Sequence, residues 1–276
     1  MGEIMFPLTI YDVGACYGIN YILPQWFDSM RDQRAYLQNM TKVAVEPLHE
    51  EYKTIKESGF YQHVYTLALS DKNGTTDFYL TRAKHCASLY KPDHNVASDI
   101  IIAPSTEDFD IVETRKVQTW TIDHLMEQSN TKPDWIKLDT QGAEQAILDG
   151  GSNALEHATV VILELNSKDQ YKNSPPAHQT IAFMSDRGFS IAACNYKPHC
   201  PSENDFVFVK DFQQLNQEKE YWSVLLALSL FSLDMQVKRF LELVDEQGKS
   251  KLSTTMQIAL KKIECEAAIF SKQKLG

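Results

Sequence analysis

The sequence lacks the features of a membrane or secreted protein. It has no apolar run of about 20 residues, the length that a membrane helix needs, and its longest apolar stretch, residues 222–233, is interrupted by serines. It begins without a basic segment followed by an apolar one, so we expect no signal peptide and no membrane insertion. Cysteines are few and odd in number, five in 276 residues, which argues against a disulfide framework and predicts a cytoplasmic location.

Basic residues are also scarce relative to acidic ones. Lys and Arg total 27 against 37 for Asp and Glu, a formal net charge of −10. This balance is unfavourable for a protein whose main partner is a nucleic-acid backbone or an anionic membrane surface, and we expect neither. Hydrophobic residues make up 43% and charged residues 23%, which is ordinary globular usage and excludes a disordered or fibrous chain.

What the sequence does contain is an alternation of apolar bursts and helical stretches between residues 8 and 210. The bursts predict strands at 8–13, 43–45, 64–69, 76–80, 135–138, 160–165, 189–193 and 206–209. The stretches between them predict helices at 49–58, 144–155 and 179–187, and another that begins after Thr121 as its cap. The alternation predicts an α/β fold with a doubly wound, mostly parallel sheet, to which a closing hairpin adds one antiparallel strand.

Two segments depart from this alternation. Residues 81–116 are polar and weakly periodic, and we interpret them as a long functional excursion. From about Glu218 apolar residues fall at helical spacing, with Gly248 ending one helix and Ser253 or Thr254 capping another. We therefore predict a core domain over 1–212 and a C-terminal helical hairpin over 217–276. Its apolar stripe is expected to pack on the core, with a homo-oligomer interface, a lid or a partner-docking surface as the alternatives.

Two motifs follow the first two strands. Asp12, Gly14 and Gly18 form a DxGxxxG turn, in which Asp12 stands where a dinucleotide-binding GxGxxG turn has its first glycine. An acid there repels phosphate and suits a cationic or zwitterionic ligand. Glu46 ends the second strand, where a carboxylate can accept hydrogen bonds from both hydroxyls of a ribose. Because the carboxyl ends of parallel strands meet at one edge of a sheet, the two motifs together predict a nucleoside-containing ligand.

A third motif, KLDTQGAE, follows the strand at 135–138 and supplies Lys137, Asp139 and Glu144. Asp139 can orient or deprotonate an acceptor, and Lys137 can stabilise the charge state of Asp139. Glu144 begins a helix, where acids stabilise the N-terminus whether or not they have another role. Glu164, near the end of the next strand, brings a further acid to the same edge. A divalent metal held by these acids is the less favoured alternative, because no compact metal motif is present, and we predict no metal site.

In order and spacing these stretches resemble the FkbM family of S-adenosylmethionine-dependent methyltransferases. The resemblance covers about residues 8–210 and rests on YDVGACYG, VEP, LALSDKNG, TIDHL, DWIKLDTQGAEQAILDGG and ILELN. It implies the class I methyltransferase fold, a Rossmann-like seven-stranded sheet whose last strand is antiparallel. It also implies S-adenosylmethionine as the cofactor and O-methylation of a sugar, a glycan or another small natural product.

The resemblance implies roles for individual residues as well. The methionine part of the cofactor would be surrounded by Asp12, Gly14, Ala15 and Gly18. Its ribose would be bound by Glu46, and its adenine flanked, after the third strand, by Leu69 and Ser70. The catalytic group would comprise Asp139 as the first candidate for the base, Lys137 and Glu164. Residues 81–116 would form the acceptor pocket, and the acceptor contacts proposed on this basis are Ser88, His178 and Glu144.

Two other functional classes remain open at the level of sequence. A non-catalytic protein that binds S-adenosylmethionine or a nucleotide for assembly would keep the same fold, although the presence of Asp12, Glu46 and Asp139 argues against a degenerate site. An NAD-dependent oxidoreductase shares the layout of the sheet, but the missing GxGxxG turn counts against it.

Overall fold

The computed structural model describes residues 6–16, 37, 39–94, 106–168, 170–196, 203–231, 233–247 and 252–253. The strands within them are β1 (Thr9–Val13), β2 (Thr41–Val45), β3 (His63–Tyr65), β4 (Ala68–Leu69), β5 (Gly74–Thr81), β6 (Ile111–Trp120), β7 (Trp135–Leu138), β8 (Val160–Asn166), β9 (Phe189–Tyr196) and β10 (Glu203–Lys210). The α-helices are α1 (His49–Glu57), α2 (Ile122–Ser129), α3 (Glu144–Asp149), α4 (Ser152–His157), α5 (Ala177–Asp186), α6 (Glu218–Leu230) and α7 (Asp234–Gln247). None of the helices in these ranges is long and apolar enough to cross a bilayer.

Seven strands form the main sheet, in the order β3-β2-β1-β7-β8-β10-β9. All neighbours are parallel except β10, which runs antiparallel to both β8 and β9. The predicted fold class and the antiparallel closing hairpin are thus confirmed. The chain goes from β1 outward to β2 and β3 and later returns to the other side of β1 as β7. The carboxyl ends of β1 and β7 therefore lie at the point where the strand order reverses, which is where open α/β sheets bind ligands.

The central strands are buried along almost their whole length, as expected where helices cover both faces of a parallel sheet. On one face Val13, Val45 and Leu138 pack with residues of α2, α3, α4 and α5. On the other face Ile10 and Trp135 pack with residues of α1, α6 and α7. Alternate residues of each strand thus belong to different cores, and Asp12 and Lys137 interrupt the apolar pattern toward the carboxyl ends of β1 and β7.

The predicted strand at 64–69 is wrong as a single element. β3 ends at Tyr65, and β4 belongs to a second, three-stranded sheet with the order β4-β6-β5. The predicted excursion at 81–116 is also too long, because its last six residues begin β6, which pairs antiparallel with β5. The sequence hides this strand because residues 111–116 are exposed on both faces, and an alternating pattern appears only where one face is buried.

The predicted helix at 144–155 is two helices, α3 and α4, separated by Gly150 and Gly151. A Cβ at Gly150 would lie 2.7 Å from the carbonyl oxygen of Ser70, and one at Gly151 would lie 2.4 Å from Cγ2 of Ile122. The two glycines therefore allow the chain to pass close to neighbouring segments at the cost of helical continuity. The cap prediction at Thr121 is confirmed, since its Oγ1 accepts a hydrogen bond from the backbone N–H of His124 at 3.0 Å.

The C-terminal helices are divided differently from the prediction. The first ends at Leu230 and α7 begins at Asp234, so the observed pair of packed helices is α6 and α7. The helix expected after Ser253 lies outside the described residues. Every residue of α6 from Tyr221 to Leu230 is buried. The Ser223 hydroxyl accepts a hydrogen bond from the indole Nε1 of Trp135 at 2.8 Å, so α6 belongs to the core of the main sheet.

Candidate functional site

A buried ion pair lies at the carboxyl ends of β1 and β7. Asp12 and Lys137 are register partners on these strands, with 0% and 5% of each residue exposed. Lys137 Nζ lies 3.3 Å from Asp12 Oδ1 and 3.4 Å from Asp139 Oδ2. Burial by itself lowers the pKa of Lys137, but the charges of the two carboxylates outweigh it, and the pKa is raised. The hydroxyl of Tyr61 donates to Asp12 Oδ2 at 2.6 Å, whereas the buried Oδ1 is in ion-pair contact with Lys137 and accepts no hydrogen bond within the described residues.

Gly14 brings the ends of three strands together. Its φ is +76°, and its N–H donates to the carbonyl oxygen of Val45 at 3.0 Å. A Cβ at this position would lie 1.9 Å from the carbonyl oxygen of Asp139. Only glycine therefore satisfies both the backbone conformation and the close approach. Ala15 is buried beside it, whereas Gly18 lies outside the described residues.

Glu46, directly after β2, is a buried acid with spare hydrogen-bonding capacity. Its Oε1 accepts from the backbone N–H of Leu48 at 2.8 Å, and Oε2 has no hydrogen-bond partner within the described part of the chain. Burial raises the pKa of Glu46 to about 7, with smaller contributions from the charges of Glu51 and Asp12. A buried carboxyl with an unused oxygen is suited to accept hydrogen bonds from hydroxyl groups of a ligand.

Asp139 and Glu164 lie at the ends of the neighbouring strands β7 and β8 and are joined by Gln141. The Nε2 of Gln141 donates to Asp139 Oδ1 at 3.1 Å and to Glu164 Oε1 at 2.7 Å. The Asp139 side chain is 32% exposed, in contrast to the buried Asp12 and Glu46. The three predicted catalytic residues, Lys137, Asp139 and Glu164, are thus connected by direct contacts in the order Lys137–Asp139–Gln141–Glu164.

Glu144 holds the loop between β7 and α3. Its Oε1 accepts from the backbone N–H and the hydroxyl of Thr140 at 2.7 and 2.9 Å, and its Oε2 accepts from the N–H of Gly142 at 2.9 Å. Burial raises the pKa of Glu144 to about 7 in spite of these hydrogen bonds. Both oxygens are engaged by the protein itself, which supports a role in fixing the loop. An acceptor contact by Glu144 stays a prediction.

The other predicted residues lie in different surroundings. Leu69 is buried in the second sheet, and the N–H of Ser70 donates to the carbonyl oxygen of Trp120 at 2.9 Å. Ser88 is buried, and its hydroxyl donates to the carbonyl oxygen of Gln141 at 2.7 Å. His178 is exposed in the first turn of α5. Contact of Leu69 or Ser70 with adenine, and of Ser88 or His178 with the acceptor, stays a prediction.

Sequence reasoning missed three polar residues of the site, Gln141, Tyr61 and Tyr171. Gln141 stands inside a motif that we singled out, but a neutral side chain between two acids gave no signal of its own. Tyr61 and Tyr171 lie in loops without a recognisable pattern, and their hydroxyls reach Asp12 and Gln141 at 2.6 and 2.9 Å. The described residues contain no group of three or more His, Cys, Asp or Glu side chains arranged to hold a metal ion.

The segment of residues 82–94, which we call the insert, closes one side of the site. Its backbone pairs with the loop after β8, where Asp93 N–H donates to Gln170 O and Lys172 N–H donates to Lys91 O, both at 2.7 Å. At its other end Lys84 forms exposed ion pairs with Glu50 and Glu51 at 3.2 and 3.1 Å, near the start of α1. The insert therefore connects the helix after Glu46 with the loop beside Glu164.

Comparisons with solved structures return distant likenesses. Sp1610 of Streptococcus pneumoniae, a candidate tRNA (m1A22) methyltransferase, is 13% identical with a TM-score of 0.38, covering 94% of this chain and 93% of that one. An uncharacterized protein from Listeria monocytogenes serotype 4b is 12% identical with a TM-score of 0.36, covering 98% and 94%. The 16S rRNA methylase ArmA is 10% identical with a TM-score of 0.31, covering 75% and 76%. Such scores carry no argument about acceptor or reaction, and no curated protein matches this chain.

A family model gives the decisive match. The methyltransferase FkbM domain matches residues 12–191, well over half of the chain and the whole stretch from Asp12 to the first residues of β9. The residues at the sheet edge fit the cofactor of such enzymes: Glu46 offers a carboxylate oxygen without a hydrogen-bond partner among the described residues, and Asp12 offers a buried oxygen that likewise accepts no hydrogen bond there. The chain belongs to the FkbM methyltransferase family, and S-adenosylmethionine is its cofactor.

Proposed function

We propose that this protein is an O-methyltransferase that transfers the methyl group of S-adenosylmethionine to a hydroxyl of a sugar, a glycan or another small natural product. The observation that carries the proposal is the partly exposed carboxylate of Asp139, held between Lys137 and Gln141 at the sheet edge where Asp12 and Glu46 are buried. Because this carboxylate is partly exposed, an acceptor can reach it, and it can accept the proton of a hydroxyl nucleophile.

On the cofactor side, the chain supplies fixed polar groups. Glu46 Oε2 is proposed to accept hydrogen bonds from ribose hydroxyls, and the turn at Gly14 to lie against the methionine part. The ion pair of Asp12 and Lys137 is proposed to hold the ends of β1 and β7 in place beside the methionine part. Bound S-adenosylmethionine supplies an electrophilic methyl group, and alignment of donor and acceptor can contribute about 7–11 kcal/mol to catalysis.

On the acceptor side, Asp139 is proposed to take the hydroxyl proton as the methyl group is transferred. Lys137 Nζ, 3.4 Å from Asp139 Oδ2, balances the charge of this carboxylate. Glu164 is proposed to orient the acceptor through a second hydrogen bond. The insert is proposed to shield the same side from water, since its backbone is paired with the loop after β8.

A neutral polyhydroxylated acceptor fits the charge of the protein better than RNA does. Sp1610 and ArmA are described as RNA methyltransferases, but the present chain carries a net charge of −10. Binding to a phosphate backbone rests mainly on clustered Lys and Arg. RNA nevertheless belongs in the test as a competing acceptor.

Calorimetric titration with S-adenosylmethionine, S-adenosylhomocysteine and NAD, side by side, is the first test. We expect micromolar binding of the first two ligands, loss of that binding in Glu46→Ala, and no binding of NAD. A radiolabelled methyl-transfer screen over mono- and oligosaccharides, polyketide alcohols and unmodified tRNA then identifies the acceptor. Turnover of a hydroxylated small molecule that falls at least about 100-fold in Asp139→Asn, with cofactor binding intact, would support the proposal.

Other outcomes of these assays would lead to different conclusions. Methylation of tRNA alone would overturn the small-molecule assignment. Cofactor binding without turnover on any acceptor would favour the alternative of a non-catalytic protein that retains the fold for binding or assembly. Unchanged turnover in Asp139→Asn would remove Asp139 from the proton-transfer step.

A further inference from the structure

One side-chain amide connects the two acids on the acceptor side. Gln141 Nε2 donates to Asp139 Oδ1 at 3.1 Å and to Glu164 Oε1 at 2.7 Å, using both of its hydrogens on carboxylates from different strands. Without a shared donor, two carboxylates so close to one another repel, and one of them tends to take up a proton. The amide therefore reduces the repulsion between the two acids and holds their side chains together, beside Lys137, whose Nζ lies 3.4 Å from Asp139 Oδ2.

The orientation of this amide is fixed by a buried tyrosine. The hydroxyl of Tyr171 lies 2.9 Å from Gln141 Oε1 and 3.0 Å from the carbonyl oxygen of Cys86, and Tyr171 is fully buried. If the amide were flipped, its oxygen would face two carboxylates and its nitrogen would face the tyrosine. The flipped state loses two charge-assisted hydrogen bonds, so the hydrogen-bond network selects one orientation.

The backbone of Gln141 is held as firmly as its side chain. Its φ of +57° lies in the left-handed region, which a non-glycine residue adopts only where the surroundings enforce it. The hydroxyl of Ser88 donates to its carbonyl oxygen at 2.7 Å, and Glu144 holds the loop on either side through Thr140 and Gly142. Gln141 thus combines a left-handed backbone with four polar contacts, one at its carbonyl oxygen and three at its side-chain amide. This combination indicates that the position of the side chain has a role beyond filling a turn.

We propose that Gln141 is a positioning residue for the acceptor, whose single amide fixes Asp139 and Glu164 as one two-carboxylate unit that grips the acceptor hydroxyls. This inference rests on the proposed O-methyltransferase function. Because the hydrogen bonds of the amide go to the two acceptor-side acids and to Tyr171, its loss is expected to act on acceptor turnover and on the titration of the two carboxyls. The affinity for S-adenosylmethionine, set by Gly14 and Glu46, is expected to stay the same.

The test compares Gln141→Met with the matched control Gln145→Met. Gln145 lies in the first turn of α3, and its Nε2 also donates to a carboxylate, Asp149 Oδ1, at 2.9 Å. Three quantities are measured for each variant: carboxyl titrations by NMR of protein labelled with ¹³C at Asp and Glu, the dissociation constant for S-adenosylmethionine, and the pH profile of kcat and KM with the acceptor found in the screen. Tyr171→Phe is a second variant that keeps the amide but removes the group that orients it.

For Gln141→Met we expect one carboxyl titration to move upward by about one pH unit, the acidic limb of kcat/KM to follow it, and cofactor affinity to stay within about twofold. Tyr171→Phe should shift the carboxyl titration and the acidic limb of kcat/KM in the same direction by less, and Gln145→Met should shift neither of these two quantities. Unchanged carboxyl titrations in Gln141→Met would overturn the inference. So would a loss of cofactor affinity equal to the loss of turnover, because the residue would then act on the cofactor site or on the fold.

The carboxyl titrations need no acceptor and no cofactor. If the protein binds S-adenosylmethionine but methylates nothing in the screen, the proposed function fails while the titrations still report whether Gln141 couples the two acids. If the Gln141→Met protein does not fold, Tyr171→Phe supplies the same readout, and an unshifted titration in that folded variant would count against the inference.

Discussion

Both halves of the site, the cofactor half and the acceptor half, have acids at the ends of strands, but these acids are held by different partners. In the cofactor half, Asp12 and Glu46 are buried and lie on adjacent parallel strands, with contacts supplied by Lys137, Tyr61 and the local backbone. In the acceptor half, Asp139 and Glu164 are partly exposed and are joined by a neutral amide from a strained loop. Lys137 contacts a carboxylate in each half, so the difference lies in the second partner: the hydroxyl of Tyr61 bonds to the buried Asp12, whereas a side-chain amide joins the partly exposed Asp139 to Glu164.

The largest effect that tests this comparison is expected from Lys137→Met. The substitution leaves Asp12 buried without its cation, and removal of one partner of a buried ion pair costs about 3–5 kcal/mol of unfolding free energy. Urea denaturation measures the loss. Adding Asp12→Asn to the variant should restore part of the stability. If the single variant were as stable as the wild type, the cofactor half would not depend on this cation.

A smaller loss is expected from Gly14→Ala. The new methyl group would overlap the carbonyl oxygen of Asp139, and the residue would keep a φ of +76°, so strain and overpacking together should cost about 3 kcal/mol. Gly59 is the matched control, because it has a φ of +65° and nothing lies within 4 Å of the place that a Cβ would take, so that Gly59→Ala suffers the backbone strain alone. Equal destabilisation of the two variants would show that the close approach to Asp139 contributes nothing.

The pKa of Glu46, about 7 against an ordinary 4.5, predicts opposite pH dependences for stability and binding. For the unliganded protein, the contribution of Glu46 to stability is fully present below pH 4.5 and is lost as the pH rises through about 7. Cofactor affinity should increase by about tenfold between about pH 6 and 8, because ribose hydroxyls donate to the ionised carboxylate. Calorimetry at three pH values tests this, and in Glu46→Gln the affinity should be independent of pH.

The smallest effect is expected from Lys84→Ala. Its ion pairs with Glu50 and Glu51 are exposed to solvent, and exposed pairs contribute little to stability. The melting temperature should not change measurably, and cofactor affinity should stay within about twofold. A loss of affinity well beyond that, reproduced in the wild type by high salt that screens these pairs, would mean that the insert closes the cofactor half as well as the acceptor half.

The sequence predicts the acids of both halves better than the groups that connect them. Asp12, Glu46, Asp139 and Glu164 lie at or near the ends of predicted strands, so strand periodicity alone brings them to one edge of the sheet. Gln141 and Tyr171 were missed, and the contact of Tyr171 with Cys86 spans 85 positions of the chain. No local pattern encodes such contacts, and for the same reason β6, exposed on both faces along its first six residues, was missed while the buried β7 was not.

The burial of α6 has a consequence for the order in which the protein is made. The helix supplies ten consecutive buried residues to one core, and its Ser223 also bonds to Trp135 in the strand at the centre of the sheet. During translation β1, β2, β7 and β8 emerge before α6, so part of that apolar sheet face is without its cover until the last quarter of the chain leaves the ribosome. Partly synthesised chains with uncovered apolar surface are the species that aggregate or engage chaperones.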